Sequence, residues 1–363
     1  MRTHAAATWA LVILGSLSVR SAGHDASAME IDFLWLMLNG AGSLAMQLVG
    51  ISMLSGSLKS AMGGGLAGAI RASCGSPWLG FVTGAGATAA LTSATATSLM
   101  TVEFLEAGAM PFGDSLAVAL GINVGSTAAP LISRVVPVAR FGLGLVGLAF
   151  FARSVLRKPV TGVSGPAYHW LTSAMGLGLL LHGMHSLSST VRPLRAYEPL
   201  RDVLASMAGS PVPGAAAGAV LAVVLQSSTA TIAIAAELAA AGTMPVPVAV
   251  AIVIGSNVGT CATTLVSAAG QSAAAWRFAV AYLAYKLAAA IALLLAFPLF
   301  VAASGHVAVL VTGSAGPAVV CTLSHVLFNA LLGLVALPFT EVMASLVRAA
   351  VPGTGDPARP KGD

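Results

Sequence analysis

Two stretches of the chain, LTSATATSLMTVEFLEAGAMPFGDSLAVALGINVGSTAAPL from Leu91 and LQSSTATIAIAAELAAAGTMPVPVAVAIVIGSNVGTCATTL from Leu225, align without a gap at a shift of 134 residues. The identities fall on the chemically unusual positions: Ser93 with Ser227, Thr95 with Thr229, Thr97 with Thr231, Glu103 with Glu237, Gly108 with Gly242, Pro111 with Pro245, Asn123 with Asn257 and Gly125 with Gly259. Shared alanines can come from composition, but a shared carboxylate and a shared Gly-x-Asn-Val-Gly point to a duplicated structural unit. Earlier in the chain Gly50 pairs with Gly183 and Leu54 with Leu187 at a shift of 133, so one residue was gained between. The fold must be built twice from the same parts.

Those parts are embedded in lipid. Hydrophobic residues make up 57% of the chain and charged residues 8%, with a mean hydropathy of +0.91, well outside the balance of soluble domains. Apolar stretches that approach or exceed the ~20 residues a crossing helix needs lie near 33–56, 138–156, 169–191, 276–303 and 317–347. They lack the alternation of a membrane barrel strand, so the spans are helices. The expected architecture is all-α and polytopic, with transport repeats over 33–157 and 158–304 and closing membrane helices over 305–350. Residues 1–32, with Arg2 ahead of an apolar Trp9–Val19 core and small residues at Ala26 and Ala28, read equally as a secretory-type signal, a first anchor or an incorrectly chosen start. Residues 351–363 form a polar tail, and no accessory domain is expected beyond it.

Within this apolar chain, Gln226, Ser227, Ser228 and Thr229 are consecutive polar residues. Four positions turn through about 300° on a helix, so they cannot share one face, and polar groups against hydrocarbon are costly. A re-entrant turn between two half-helices, lining a cavity, is the cheaper arrangement. Pro213–Leu225 and Ile232–Ala241 are each too short to span and together suit a hairpin with its polar tip inside the membrane. The first repeat allows the same, with Trp78–Leu91, a tip at Thr92–Thr97 and Ser98–Ala107. The alternative, hydroxyls bonding back to helix carbonyls, accounts for scattered Ser and Thr but not for their recurrence beside a second motif.

That second motif, GINVGST at Gly121 and GSNVGTCATT at Gly255, ends an apolar half-span. Glycines flanking an Asn are expected to break the helix there. A broken helix offers free N–H groups to an anion and freed carbonyls to Na+. Discontinuous segments at corresponding places in two halves mark the binding site of a secondary transporter.

On these residues the chain resembles the Na+/phosphate cotransporter family, the bacterial relatives of the type II Na+-dependent phosphate transporters. The second half carries the family's paired motifs as QSSTAT and GSNVGTCATT, and the resemblance takes in GISMLSGSL near Gly50 and SHVLFNALLGLVALPF from Ser324. It covers about residues 34–340. It implies a symporter that takes up inorganic phosphate with Na+ across the cytoplasmic membrane by alternating access, with Na+ as cargo and no cofactor or resident metal. It further implies that Gln226, Ser227, Ser228, Thr229, Thr231, Asn257, Thr260 and Thr263 bind Na+ and phosphate oxygens, with Thr92, Ser93, Thr95, Thr97, Asn123 and Ser126 supplying the other half. In the first repeat Thr92, Ser93, Ala94 and Thr95 replace the family's Gln-Ser-Ser-Ser, which makes the site asymmetric. Tyr282 and Lys286 stand where the family's earlier His and Asn are expected, and Glu103 and Glu237 where small residues are usual.

Intramembrane carboxylates cost about 2.5 kcal/mol or more to insert, so Glu103 and Glu237 are read as Na+ or H+ coupling groups, as structural pairs or as residues exposed at a hairpin end. Glu106, unpaired in the repeat, reads as interfacial. His182 and His185 share a helix face without a third ligand, which favours packing over a metal, and His325 reads as a hydrogen-bonded packing residue. Cys74, Cys261 and Cys321 form no CxxC or Cys/His cluster and are expected to pack. No Ser/His/Asp arrangement suggests an enzyme, and the net charge of +5 is too scattered for a nucleic-acid surface. Three crossings separate 33–56 from 169–191 when the hairpins re-enter, so odd parity predicts inverted repeats. Arg153, Arg157 and Lys158 balance Arg192, Arg195 and Arg201, so the positive-inside rule chooses no side. The rival readings keep the architecture but carry another oxyanion, couple to H+, or make the protein a transport-inactive sensor or scaffold.

Overall fold

The computed structural model describes residues 33–62, 75–135, 142–156 and 166–352, together with 68, 69 and 72. The signal-like segment over 1–32, Cys74 and most of the polar tail lie outside the described residues, which fold as helices and turns alone. The sixteen α-helices run α1 Phe33–Met62, α2 Pro77–Leu91, α3 Ala94–Glu106, α4 Phe112–Gly125, α5 Ala128–Val135, α6 Gly142–Leu156, α7 Pro166–Val191, α8 Glu198–Ser206, α9 Pro211–Leu225, α10 Ser228–Ala240, α11 Val246–Gly259, α12 Cys261–Ala268, α13 Ala273–Leu295, α14 Phe297–Thr312, α15 Pro317–Ala336 and α16 Thr340–Ala350.

The duplication read in the sequence is carried through to element length. The α2–α5 set has helices of 15, 13, 14 and 8 residues, and α9–α12 has the same four lengths in the same order. Each hairpin opens alike: Ser76 caps α2 by accepting from the Leu79 N–H, Ser210 caps α9 by accepting from the Val212 N–H, and a proline follows each cap. Proline suits the first helical turn, where its missing N–H would have had no partner.

Inside each set the hairpin's first helix lies against the broken helix with backbones nearly touching. A methyl group on Gly121 would overlap the Phe81 carbonyl and one on Gly125 the Ala85 carbonyl; the same holds for Gly255 with Ala215 and Gly259 with Ala219. Gly121 and Gly255 therefore sit inside continuous helix, and the break that the sequence suggests falls at the motif's end, just past Gly125 and Gly259. Both α4 and α11 run unbroken through Gly-x-Asn-Val-Gly and stop just past it, at Ser126 and Thr260. The missing Cβ atoms serve close helix packing, the membrane use of small residues. The repeat-related α1 and α7 pack by the same device, Gly50 facing the Gly176 carbonyl and Leu180 backbone while Gly183 faces Ser43 and Gln47.

Among the described residues four stretches are long and apolar enough to cross a membrane: Leu34–Leu54, Val246–Ala268, Ala273–Leu295 and Pro317–Ala350. The expected single span over 276–303 is two helices, interrupted at Ala296, with Pro298 in the first turn of α14. A proline has no N–H to donate to the preceding turn, so the chain restarts there. Pro338 similarly places a short 3-10 turn, Leu337–Phe339, between α15 and α16. Each set has its own buried apolar cluster: Phe112, Leu116 and Leu120 of α4 meet Phe278, Tyr282 and Tyr285 of α13, and Val248, Ile252 and Val253 of α11 meet Ala235 and Ala236 of α10.

Candidate functional site

Both hairpins turn over through a single left-handed residue. Thr92 has φ 51° and Gln226 φ 50°, and they are the two non-glycine residues with positive φ among those described. The next residue caps the second helix in each case: the Ser93 Oγ accepts from the Ala96 N–H at 3.2 Å and the Ser227 Oγ from the Ala230 N–H at 3.1 Å. The interruption is thus two residues, shorter than the tips expected at Thr92–Thr97 and Gln226–Thr231, because serine capping restarts the helix at once.

The two tips face one another. Thr92, Ser93, Ala94 and Thr95 from the first hairpin, Gln226, Ser227, Ser228 and Thr229 from the second, Ser126 and Thr260 from the ends of α4 and α11, and Leu48 from α1 line one cavity of about 130 Å³. Among the described residues its wall contains no carboxylate. The first two N–H groups of α3, on Ala94 and Thr95, and of α10, on Ser228 and Thr229, have no intrahelical carbonyl to bond. All four residues lie on the cavity wall, so two helix N-termini and their partial positive charge converge there. Ser126 donates its hydroxyl to the Asn123 carbonyl at 2.6 Å and Thr260 donates to the Asn257 carbonyl at 2.9 Å. With their protons turned inward, these hydroxyls keep oxygen lone pairs for a cation. The Thr92 Oγ1 is buried without a hydrogen-bond partner. One chamber thus offers N–H donors suited to an anion and hydroxyl oxygens suited to Na+.

The remaining sequence-predicted residues stand behind this wall. Thr97 and Thr231 donate to the Ser93 and Ser227 carbonyls at 3.2 and 3.0 Å, and Thr263 donates to the Thr260 carbonyl at 3.0 Å. Asn123 and Asn257 are buried and tie the ends of α4 and α11 to α13 and α15 respectively. The Asn123 Oδ1 accepts from the Tyr282 hydroxyl at 2.9 Å, and the Asn123 amide also meets the Tyr285 hydroxyl. The Asn257 Oδ1 accepts instead from the Asn329 amide at 3.2 Å. Glu103 is exposed and Glu237 buried, and neither lines the cavity. Glu106 sits at the loop end of its hairpin, where the Ser272 N–H donates to it at 2.6 Å and holds its carboxyl below the ordinary range. Both ring nitrogens of His325 lack a partner, so its expected hydrogen-bonded packing is packing alone.

Sequence reasoning noted Lys286 as a departure without giving it a place. Its ammonium is buried, 3.4 Å from the Thr260 hydroxyl and 4.7 Å from the centre of the Tyr282 ring. A lysine in the middle of a largely apolar helix was the available signal; the partner it reaches was not. Tyr285 and Leu48 carried no signal.

An all-helical membrane protein that brings two repeat-related hairpin tips to one hydroxyl-rich cavity has the architecture of a carrier. Residues 46–189 and 179–313 each match the family described as Na+/Pi-cotransporter, and the chain belongs to that family. It is 28% identical over 266 residues to YqeW of Bacillus subtilis (strain 168), whose name assigns no function, covering 73% of this chain and 82% of that one. It is 26% identical over 278 residues to YjbB of Escherichia coli (strain K12), whose name describes a candidate inorganic phosphate export protein. That match covers 75% of this chain and 48% of the relative, so the chain spans about half of its length. No solved structure matches the chain.

Proposed function

We propose that the protein is a secondary carrier, not an enzyme, that moves inorganic phosphate together with Na+ across the cytoplasmic membrane by alternating access. The observation that carries this reading is the shared cavity, in which free helix N–H groups and inward-donating hydroxyls from both repeats meet without a carboxylate. Hydroxyl and N–H donors can replace the water shell of phosphate, and a co-bound Na+ would offset part of its charge. In this reading Gln226, Ser227, Ser228, Thr229, Thr260, Thr92, Ser93, Thr95 and Ser126 contact the cargo. Thr97, Thr231, Thr263, Asn123 and Asn257 hold those contacts in place. The two repeats, 33–157 and 158–304, are inverted with respect to each other and exchange roles between the outward and inward states.

An inward Na+ gradient makes such a symporter an uptake system. The name of the Escherichia coli relative favours a second reading, in which phosphate moves outward. Radiolabelled phosphate uptake into proteoliposomes, with Na+ outside and then with choline in its place, tests the first. Stimulation by the Na+ gradient is expected. Uptake indifferent to Na+, or phosphate leaving loaded vesicles against an inward Na+ gradient, would overturn it.

A further inference from the structure

Among the described residues Lys286 is the one lysine that reaches the cavity wall, and its surroundings do not neutralise it. It lies on α13, 3% exposed, with its Nζ donating to the Thr260 Oγ1 at 3.4 Å and resting 4.7 Å from the Tyr282 ring centre. Its polar neighbours among the described residues are that hydroxyl, that aromatic face, the Cys261 thiol and the His325 imidazole, and none of them is a carboxylate. A buried ammonium is expensive unless paired. A cation–π contact offsets about 2 kcal/mol of that when desolvated, well short of the several kcal/mol that burial costs an ion. The missing counter-charge therefore has to come from elsewhere. Thr260, whose hydroxyl Lys286 touches, itself lines the cavity together with the helix N-termini that favour an anion.

We propose that Lys286 is the resident counter-charge of the cavity, acting through Thr260 as a positioning residue and supplying positive charge that a bound Na+ would otherwise have to bring. The inference rests on the phosphate reading above and deepens it. Part of the cation requirement is built into α13, so phosphate occupancy depends less steeply on Na+ than it would with a neutral side chain at 286. The two repeats also divide the work. Asn123 is held by neutral Tyr282 and Tyr285, while the second-repeat end of the cavity, at Thr260, carries the charge.

Equilibrium binding of radiolabelled phosphate to the purified full-length protein, over a Na+ series balanced with choline, tests this in wild type, Lys286→Gln and Lys286→Arg. Lys286→Gln should weaken phosphate binding ~10-fold or more at low Na+, as expected for losing a close, desolvated charge, and the gap should narrow as Na+ rises. Lys286→Arg, which keeps the charge, should stay within about threefold of wild type. Lys286→Met, neutral and close in length, serves as a second probe should Lys286→Gln fail to give a single folded species by gel filtration; it should show the same loss at low Na+. Wild-type affinity in Lys286→Gln at every Na+ concentration would overturn the proposal. So would an equal loss in Gln and Arg variants that Na+ does not relieve, since that is the behaviour of a packing residue. Absence of phosphate binding by the wild type would instead overturn the phosphate reading, and this inference with it.

Discussion

The Tyr282 hydroxyl donates to the Asn123 Oδ1 across 2.9 Å, and both side chains are buried. This bond joins the end of α4 to α13 and fixes the direction of the Asn123 carboxamide, whose amide in turn donates to the Ala119 carbonyl at 3.0 Å. Because the second repeat solves the same problem with Asn329 on Asn257, the two ends of the cavity are held by different chemistry. Tyr282→Phe leaves the Asn123 Oδ1 buried and short of a donor, at a cost of about 1–3 kcal/mol. A lowered melting temperature of the detergent-purified protein is expected. The double variant with Asn123→Leu should melt higher than the sum of the two single effects. Additive losses would mean that the bond carries no stabilisation.

Much of this arrangement was legible from residue spacing. The match of Ser93 with Ser227 and Asn123 with Asn257 predicted two equivalent half-sites, and the helix lengths follow the same shift. Local signals did not reveal what the glycines do. Gly121 and Gly255 look like breakers in isolation, whereas the partner carbonyls of Phe81 and Ala215 that demand them are distant in sequence. Nor did composition separate hydroxyls facing the cavity from those bonded to the preceding turn. Thr95 and Thr97 are two residues apart, so one reaches the wall while the other turns back to the Ser93 carbonyl. Lys286 was visible as an oddity, but its reach to Thr260 depends on how α13 packs beside α12.

The packing role of the glycines predicts a contrast between two alanine substitutions. Gly255→Ala would drive a methyl into the Ala215 carbonyl, while Gly305 has open space where a Cβ would go. Overpacking of this kind costs about 1–3 kcal/mol, and more when the obstacle is backbone. Alanine at a helical position with room gains about 0.5–1 kcal/mol. Gly255→Ala is therefore expected to melt well below the wild type and Gly305→Ala at or above it. Equal melting temperatures for the two would contradict the close approach of α9 and α11.

Glu103 and Glu237 occupy equivalent places in the repeat but not equivalent environments, the first exposed and the second buried. Substitutions at exposed positions away from special contacts stay within about 0.5 kcal/mol. Glu103→Gln should leave both melting and phosphate uptake near wild type. Glu237→Leu removes a buried carboxylate that has an interaction partner, and the group left behind costs about 1–3 kcal/mol. Thermal melts of both variants decide it: a larger loss at Glu103 than at Glu237 would reverse the assignment of inside and outside for the hairpins' second helices.

The turn residue of the first hairpin allows stability and binding to be separated in one position. A β-branched side chain at positive φ is disfavoured, and holding such a residue there stores about 1–3 kcal/mol. Thr92, at φ 51°, pays this while its Oγ1 finds no protein partner. Thr92→Gly removes the strain but adds freedom to the unfolded chain worth about 0.5–1 kcal/mol, so the net change should be a melting temperature equal to or slightly above wild type. The same change strips a hydroxyl from the cavity wall, and phosphate binding should weaken several-fold, by the roughly 1 kcal/mol that one hydrogen bond contributes. Gln226→Gly keeps the equivalent backbone and deletes an amide from the same wall, so it should also melt near wild type while binding weakens. A strained residue kept at a functional site at the expense of stability is the expected trade. If Thr92→Gly instead melted more than 1 kcal/mol below wild type with binding intact, the residue would be holding the turn together rather than serving the cavity.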